Sequence, residues 1–179
     1  MATMLDTTIR PMRPSDLEAI RAVLEAANAQ FADLVPAPLF RAYLADVLDI
    51  ESRVDRSSTL VAAHDDRLVG TITVFRDAND EGAGPAAPIG TAGIRAVAVD
   101  PAARGLGVGT RLGAAAVALA RAEGATAIIL HTWAVMTAAI AVYERLGFRR
   151  APAFDSTSSS FFPSEIEDDP AALAFWLDL

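Results

Sequence analysis

A mixed α/β sheet flanked by helices, in a single domain over residues 1–179, is the fold this sequence predicts. Three observations predict it. Two helical patterns near the N-terminus give way to β-rich segments between residues 59 and 99. A glycine-rich turn then joins the end of a strand to a long Ala/Leu/Val helix pattern. A further strand–helix pair follows, so an antiparallel meander feeds a βαβ unit. One domain is the natural reading of 179 residues, and a hydrophobic fraction of 53% is ample for its core.

The elements follow in order. Thr8 to Met12 is a short extended segment broken by Pro11 and Pro14. Ser15 and Glu18 have capping-box spacing, and Leu17, Ile20, Val23 and Leu24 continue a helix to about Asn28. A second helix is expected from about Pro38 to Ser52, with Leu39, Phe40, Tyr43, Leu44, Val47 and Leu48 on one broad face. Thr59–Ala63 and Leu68–Phe75 read as a hairpin around His64–Arg67. Residues 77–88 read as a surface loop, and a strand runs from Ile89 to Val99. After the glycines, a helix from Thr110 stops at Gly124. Thr126–Thr132 is a buried strand, Thr137–Leu146 a helix stopped by Gly147, and Phe148–Arg150 the start of a strand. A Ser/Pro/acidic loop at 155–170 precedes a closing strand, Ala171–Leu179. The order is β-α-α-β-β-β-α-β-α-β-β, with no internal repeat.

Residues 97–109, Val-Ala-Val-Asp-Pro-Ala-Ala-Arg-Gly-Leu-Gly-Val-Gly, are the most informative stretch. They place three alternate glycines at a helix N-terminus. Backbone N–H groups there lack intrahelical partners, and the helix dipole favours negative charge, so the turn suits an anion such as a pyrophosphate. A Walker A loop needs a lysine, and all 15 basic residues here are arginine. A dinucleotide fingerprint needs Gly-x-Gly-x-x-Gly early in a βαβ unit, but Gly105, Gly107 and Gly109 alternate late in the chain.

Arg104-Gly105-x-Gly107-x-Gly109 after Val99-Asp100-Pro101 instead resembles the acyl-CoA pyrophosphate loop of the GNAT superfamily of N-acyltransferases. The element order resembles that fold too, a mixed, mostly antiparallel twisted sheet flanked by helices. The resemblance covers nearly the whole chain and is carried mainly by 89–124 and 126–150. It implies acetyl-CoA, or a related acyl-CoA, as co-substrate. It also implies that Val97, Val99, Arg104, Gly105, Leu106, Gly107, Val108, Gly109 and Thr110 hold it. Ala139-x-x-x-Tyr143-x-x-x-Gly147-Phe148 is similar to a second family signature. There the tyrosine stands near the acyl-CoA sulfur. A phenol, with an ordinary pKa of about 10, is a competent proton donor to a departing thiolate. By the same resemblance, the strand Ala96–Val99 holds the pantetheine arm, and the backbone N–H of Val97 polarises the thioester carbonyl.

Two departures matter. Many family members carry an acid just before the core of this strand, but here it reads Thr91-Ala92-Gly93-Ile94-Arg95. Many also carry an asparagine where this chain has Met136. The general base is therefore unassigned. His131 is a candidate base or a structural histidine, and Arg95 could orient substrate or pair with Asp100. Trp133, Phe161, Phe162 and Trp176 fit either an acceptor pocket or the core.

Composition narrows the chemistry. The chain has no cysteine, so disulfides, thiolate nucleophiles and Cys-ligated metals are excluded. Without lysine there is no Schiff base, and two histidines make a His-rich metal site unexpected. A net charge of −8 with scattered arginines disfavours nucleic acid and could suit a cationic amine. No apolar run is long enough for a membrane span, and Met1–Asp6 shows no leader, so a cytoplasmic chain is expected. A homodimer is left open. The reading is direct transfer of an acetyl group from acetyl-CoA to a primary amine of a small molecule or peptide, with no metal. The rivals are a non-catalytic acyl-CoA-binding or sensory module of the same fold and a nucleotide-binding α/β protein. The glycine spacing and the missing lysine argue against the second.

Overall fold

The computed structural model describes residues 6–81 and 84–179. The segment Met1–Asp6, over which no leader was expected, therefore lies almost wholly outside the described residues.

The chain begins with β1 (Thr8–Pro11), α1 (Leu17–Asn28) and α2 (Ala37–Leu48). The meander follows as β2 (Ser57–His64), β3 (Arg67–Phe75) and β4 (Thr91–Val99). Then come α3 (Val108–Ala122), β5 (Ala127–Thr132) and α4 (Thr137–Arg145). The C-terminal part holds β6 (Arg149–Arg150), β7 (Ser156–Thr157), α5 (Ser158–Phe161) and β8 (Ala171–Asp178). In space the strands run β1-β2-β3-β4-β5-β8-β6, with β7 pairing β8 off this path. Every pairing is antiparallel except β4 with β5.

Alternation along the strands builds two cores, one on each face of the sheet. Leu60, Ala62, Ile72 and Ile94 face Val108, Leu112 and Ala116 of α3, with Tyr143 of α4 in the same cluster. Val61 and Ala98 face Ile20, Val23 and Leu24 of α1, with Val47 of α2 beside them. With a core on each face, β3 is buried from Leu68 to Phe75, and β2 is buried at Ser57 and from Thr59 to Ala62.

Two features of β4 open the sheet. Thr71 lies opposite Ala98 and Thr73 opposite Arg95, so Ile72 alone faces both Ala96 and Val97. This is a β-bulge, and Ala96 sits at φ +51°, a left-handed conformation rare for a residue with a Cβ. On the other edge, β4 pairs with β5 only from Thr91 to Ile94. From Arg95 onward the two parallel strands separate.

Four local expectations are corrected. Ser15 and Glu18 form no capping box, because Pro14 opens a 3-10 turn ahead of α1. Asp16 instead accepts the Arg13 N–H at 2.7 Å and pairs with Arg10 at 2.6 Å. The second helix ends at Leu48 rather than Ser52, and a separate 3-10 turn follows at Glu51–Arg53. The segment 77–88 is not all surface loop: Ala78–Glu81 is a 3-10 turn, and Ala78 is buried. Asn79 ties it off by accepting the Ala87 N–H (2.9 Å) and donating to the Ala87 carbonyl (3.2 Å). Residues 155–170 hold β7 and α5, which Ser158 anchors by donating its hydroxyl to the Pro170 carbonyl at 2.5 Å.

Candidate active site

Where β4 and β5 part, a cavity of about 680 Å3 runs between them. Its lining includes Val97 and Val99 of β4, the glycine turn, the first turns of α3 and α4, and Tyr143.

The glycine turn is held from behind. The Asp100 N–H donates to the Val69 carbonyl (2.9 Å), and its carboxylate accepts the Ala102 N–H (2.8 Å) and pairs with Arg67. A 3-10 turn at Pro101–Ala103 then brings the chain round to Gly105 and Gly107. Gly107 precedes the first residue of α3 at φ +83°, which glycine adopts without a Cβ penalty. The unpaired amides of α3 and the positive end of its dipole thus open at one end of the cavity. The Arg104 guanidinium is turned toward α1, donating to the Ala27 carbonyl (2.9 Å) and to Gln30 Oε1 (3.2 Å).

Tyr143 stands on α4, packed near Phe148 and Phe175 with its centroid 6.0 and 6.4 Å from theirs. Burial pushes its phenol well above the ordinary tyrosine value, so the proton stays on the oxygen. Val97, Val99, Arg104, Gly105, Gly107, Val108, Gly109, Thr110 and Tyr143 all line this one cavity. Leu106 does not, and it is half-buried.

At the other end the walls are aromatic. Tyr43 of α2 lies 4.7 Å from Trp133 and 5.2 Å from Phe162, centroid to centroid. The Tyr43 hydroxyl donates to Asn28 Oδ1 (2.8 Å), and the Trp133 indole N–H donates to Ser158 Oγ (2.7 Å). Trp133, Phe161 and Phe162 therefore line the cavity, whereas Trp176 stacks on Phe154 away from it. Arg95 lies beneath the Phe162 ring, 5.2 Å from its centroid. It does not pair with Asp100. Its partners are Asp46 (2.8 Å) and Glu81 (3.7 Å). His131 has its Nε2 3.0 Å from the Phe154 carbonyl, so Nε2 carries the hydrogen and Nδ1 the lone pair. Burial holds its pKa below the usual histidine value.

Sequence reasoning missed Tyr43 and Glu81. Tyr43 read as one apolar residue on a helix face, and nothing local separates Glu81 from Asp77 or Asp80. The available signal was Gly93, a glycine inside a strand, which often marks a close approach by another group.

The parallel pair thus parts beside a glycine turn and a helix N-terminus, with Tyr143 of α4 on the same cavity. The chain belongs to the acetyltransferase (GNAT) family, whose family model matches residues 20–148. Its fold is similar to that of a PaiA N-acetyltransferase from Thermoplasma acidophilum solved with coenzyme A. That likeness has a TM-score of 0.71 and 14% identity, over 97% of this chain and 99% of the other. It is also similar to a GNAT family acetyltransferase from Brucella melitensis solved with acetyl-CoA. There the TM-score is 0.60 and the identity 27%, over 81% and 84%. A mycothiol acetyltransferase from Cellulomonas flavigena is 37% identical over 101 residues, 54% of this chain. The chain spans 28% of that relative's length. Among the described residues no His/Asp/Glu group is arranged to hold a metal, and no helix is long and apolar enough to cross a membrane.

Proposed function

We propose that this chain transfers an acetyl group directly from acetyl-CoA to a primary amine, with both bound in the cavity between β4 and β5. The observation that carries the reading is the separation of the parallel pair beyond Ile94, with the glycine turn at one end and aromatic walls at the other. A thioester on a long, phosphate-ended arm needs such a passage.

In this reading the main chain at Arg104–Thr110 holds the pyrophosphate, and β4 from Val97 to Val99 holds the pantetheine arm. The Val97 N–H donates to the thioester oxygen as negative charge builds on it. The bulge at Ala96 supports that role, since it breaks the regular ladder at the residue before. Tyr143 protonates the departing sulfur; its raised pKa keeps it in the acid form. Transfer is direct because no cysteine or lysine is available to carry the acetyl group. The serines at 156–160 bond one another, Asp169 and the Pro170 carbonyl. A cytoplasmic setting is part of the proposal.

The test is thiol release from acetyl-CoA with a panel of primary amines. Initial-rate lines that intersect, with no acetylated protein when enzyme and acetyl-CoA are mixed alone, are expected for a ternary complex. Parallel lines with a stoichiometric, chemically competent acetyl adduct by intact-mass spectrometry would overturn direct transfer. Acetyl-CoA binding without thiol release for any amine would favour a binding module.

A further inference from the structure

Direct transfer leaves one proton unaccounted for. The amine attacks only as the free base, so a group beside it must take a proton, and β4 offers no acid at Gly93. The structure supplies a carboxyl there from elsewhere. Glu81, at the end of the 3-10 turn Ala78–Glu81, reaches over β4 and lines the cavity with its side chain 4% exposed. Its Oε1 lies where a Cβ on Gly93 would stand, so any side chain at 93 would displace it. The glycine and the glutamate are two halves of one arrangement.

We infer that Glu81 is the proton acceptor for the amine, acting directly or through one water from the room that Gly93 leaves. The inference rests on the amine acetyltransferase reading. The amine nitrogen forms the new N–C bond and the C–S bond of the thioester breaks. The thiolate takes a proton from Tyr143, the amine's surplus proton passes to the Glu81 carboxylate, and solvent exchange restores both groups.

The ion pair that Glu81 makes is a loose one, which leaves its carboxylate able to take a proton. Arg95 Nε is 3.7 Å from Glu81 Oε2, too long for a charge-assisted hydrogen bond. Its guanidinium is committed to Asp46 at 2.8 Å. The charged groups facing Glu81 are Arg95 from β4, Asp46 from α2 and Arg53 from the 3-10 turn Glu51–Arg53. Desolvation dominates, opposed by Arg95 and Arg53 and reinforced by Asp46, and pushes the carboxyl up to about 8. A base near 8 pulls better on an alkylammonium, which titrates near 10, than an ordinary carboxylate does. His131, the other base on the cavity, is pushed down and so is the weaker acceptor.

The experiment uses wild type, Glu81→Gln, and the double variant Glu81→Ala with Gly93→Glu, which moves the carboxyl onto β4. In the double variant the Glu81 overlap is gone, and the nearest remaining backbone atom to the new Cβ is Ala78 Cα at 3.3 Å. CoA-thiol release is followed with 2-phenylethylamine, and with the amine panel if that is inert, from pH 6 to 10. Acetyl-CoA affinity is measured by calorimetry. For wild type, kcat/KM should rise with pH through about 8, because the carboxylate is the active form. Glu81→Gln should lose about 10²-fold at pH 8 and lack that limb, with acetyl-CoA affinity unchanged. The double variant should recover at least about tenfold over Glu81→Gln, which a merely structural Glu81 would not allow. Wild-type turnover with the same limb in Glu81→Gln overturns the assignment, as does a double variant that binds acetyl-CoA but is no faster than Glu81→Gln. No thiol release from wild type with any amine overturns the acetyltransferase reading itself, and Glu81 falls with it.

Discussion

The two ends of the cavity are built in opposite ways. The end we assign to acetyl-CoA comes mainly from one contiguous stretch, Ala96 to Thr110, and works through backbone: a bulge, a proline turn and a helix N-terminus. The end we assign to the amine comes from side chains scattered along the chain, with Tyr43 on α2, Glu81 beyond β3, Arg95 on β4, Trp133 after β5 and Phe162 after α5. A backbone site needs particular φ values, so it forces glycine and proline into fixed places. A side-chain site needs only that the fold bring suitable groups together, which leaves no local pattern. The contrast also separates their tolerances: the first end should fail by strain, the second by lost chemistry.

The largest effect is expected from straining the backbone end. Gly107→Val puts a β-branched residue at φ +83°, which costs about 1–2 kcal/mol and swings the first amides of α3 off the cavity. That strain weakens the fold, and the affinity loss comes from the charge-assisted hydrogen bonds to phosphate, each worth about 1.5–3 kcal/mol. Acetyl-CoA affinity by calorimetry should therefore fall by roughly 10²–10³-fold, with helix content by circular dichroism intact. Binding within threefold of wild type would show that the anion does not sit on this turn.

Tyr143→Phe probes where the two ends meet. The ring packs as before against Phe148 and Phe175, and only the hydroxyl is lost. Turnover should drop by about 10²-fold with acetyl-CoA affinity nearly unchanged. Turnover equal to wild type on the same amine would take the phenol out of the mechanism. A parallel loss of affinity would mean that it positions the thioester instead.

The fold was legible because its signals are periodic. The apolar runs of β2, β3 and β5 and the helical spacing of α1 and α3 predict elements that the structure places within a few residues. The glycine turn was legible for the reason already given: Gly105 and Gly107 take φ values of +73° and +83°, and Pro101 opens the turn before them. The errors cluster where side-chain hydrogen bonds decide local structure. Asp16 captured the turn that Ser15 was expected to cap, and Asn79 folded a stretch that composition marked as loop. Glu81 was illegible because its meaning depends on Gly93, and only the packing of the 3-10 turn on β4 connects the two. The missing acid on β4 was visible in the sequence, and its replacement was not.

The smallest expected effect sharpens the comparison most, because it concerns a residue where motif and structure differ over what matters. Arg104 opens the glycine motif, and a cationic side chain beside a pyrophosphate invites the assumption that it binds by charge. Its guanidinium is instead held by the Ala27 carbonyl and Gln30 Oε1 at the end of α1. Its part in the backbone end is then to pin the turn to the helix across the cavity, while its main chain lines the site. Arg104→Met keeps an unbranched side chain and removes those hydrogen bonds. Two partly solvated bonds of this kind are worth about 1 kcal/mol together, and the melting temperature should fall by roughly 2–4 °C. Acetyl-CoA affinity should change by less than about threefold, since a side chain committed to α1 makes no phosphate contact to lose. A drop of tenfold or more, with the salt dependence of binding weakened as it should be for a lost ion pair, would show that the guanidinium leaves α1 when acetyl-CoA arrives. The cofactor end would then depend on a side chain after all, and the division between a backbone end and a side-chain end would not hold.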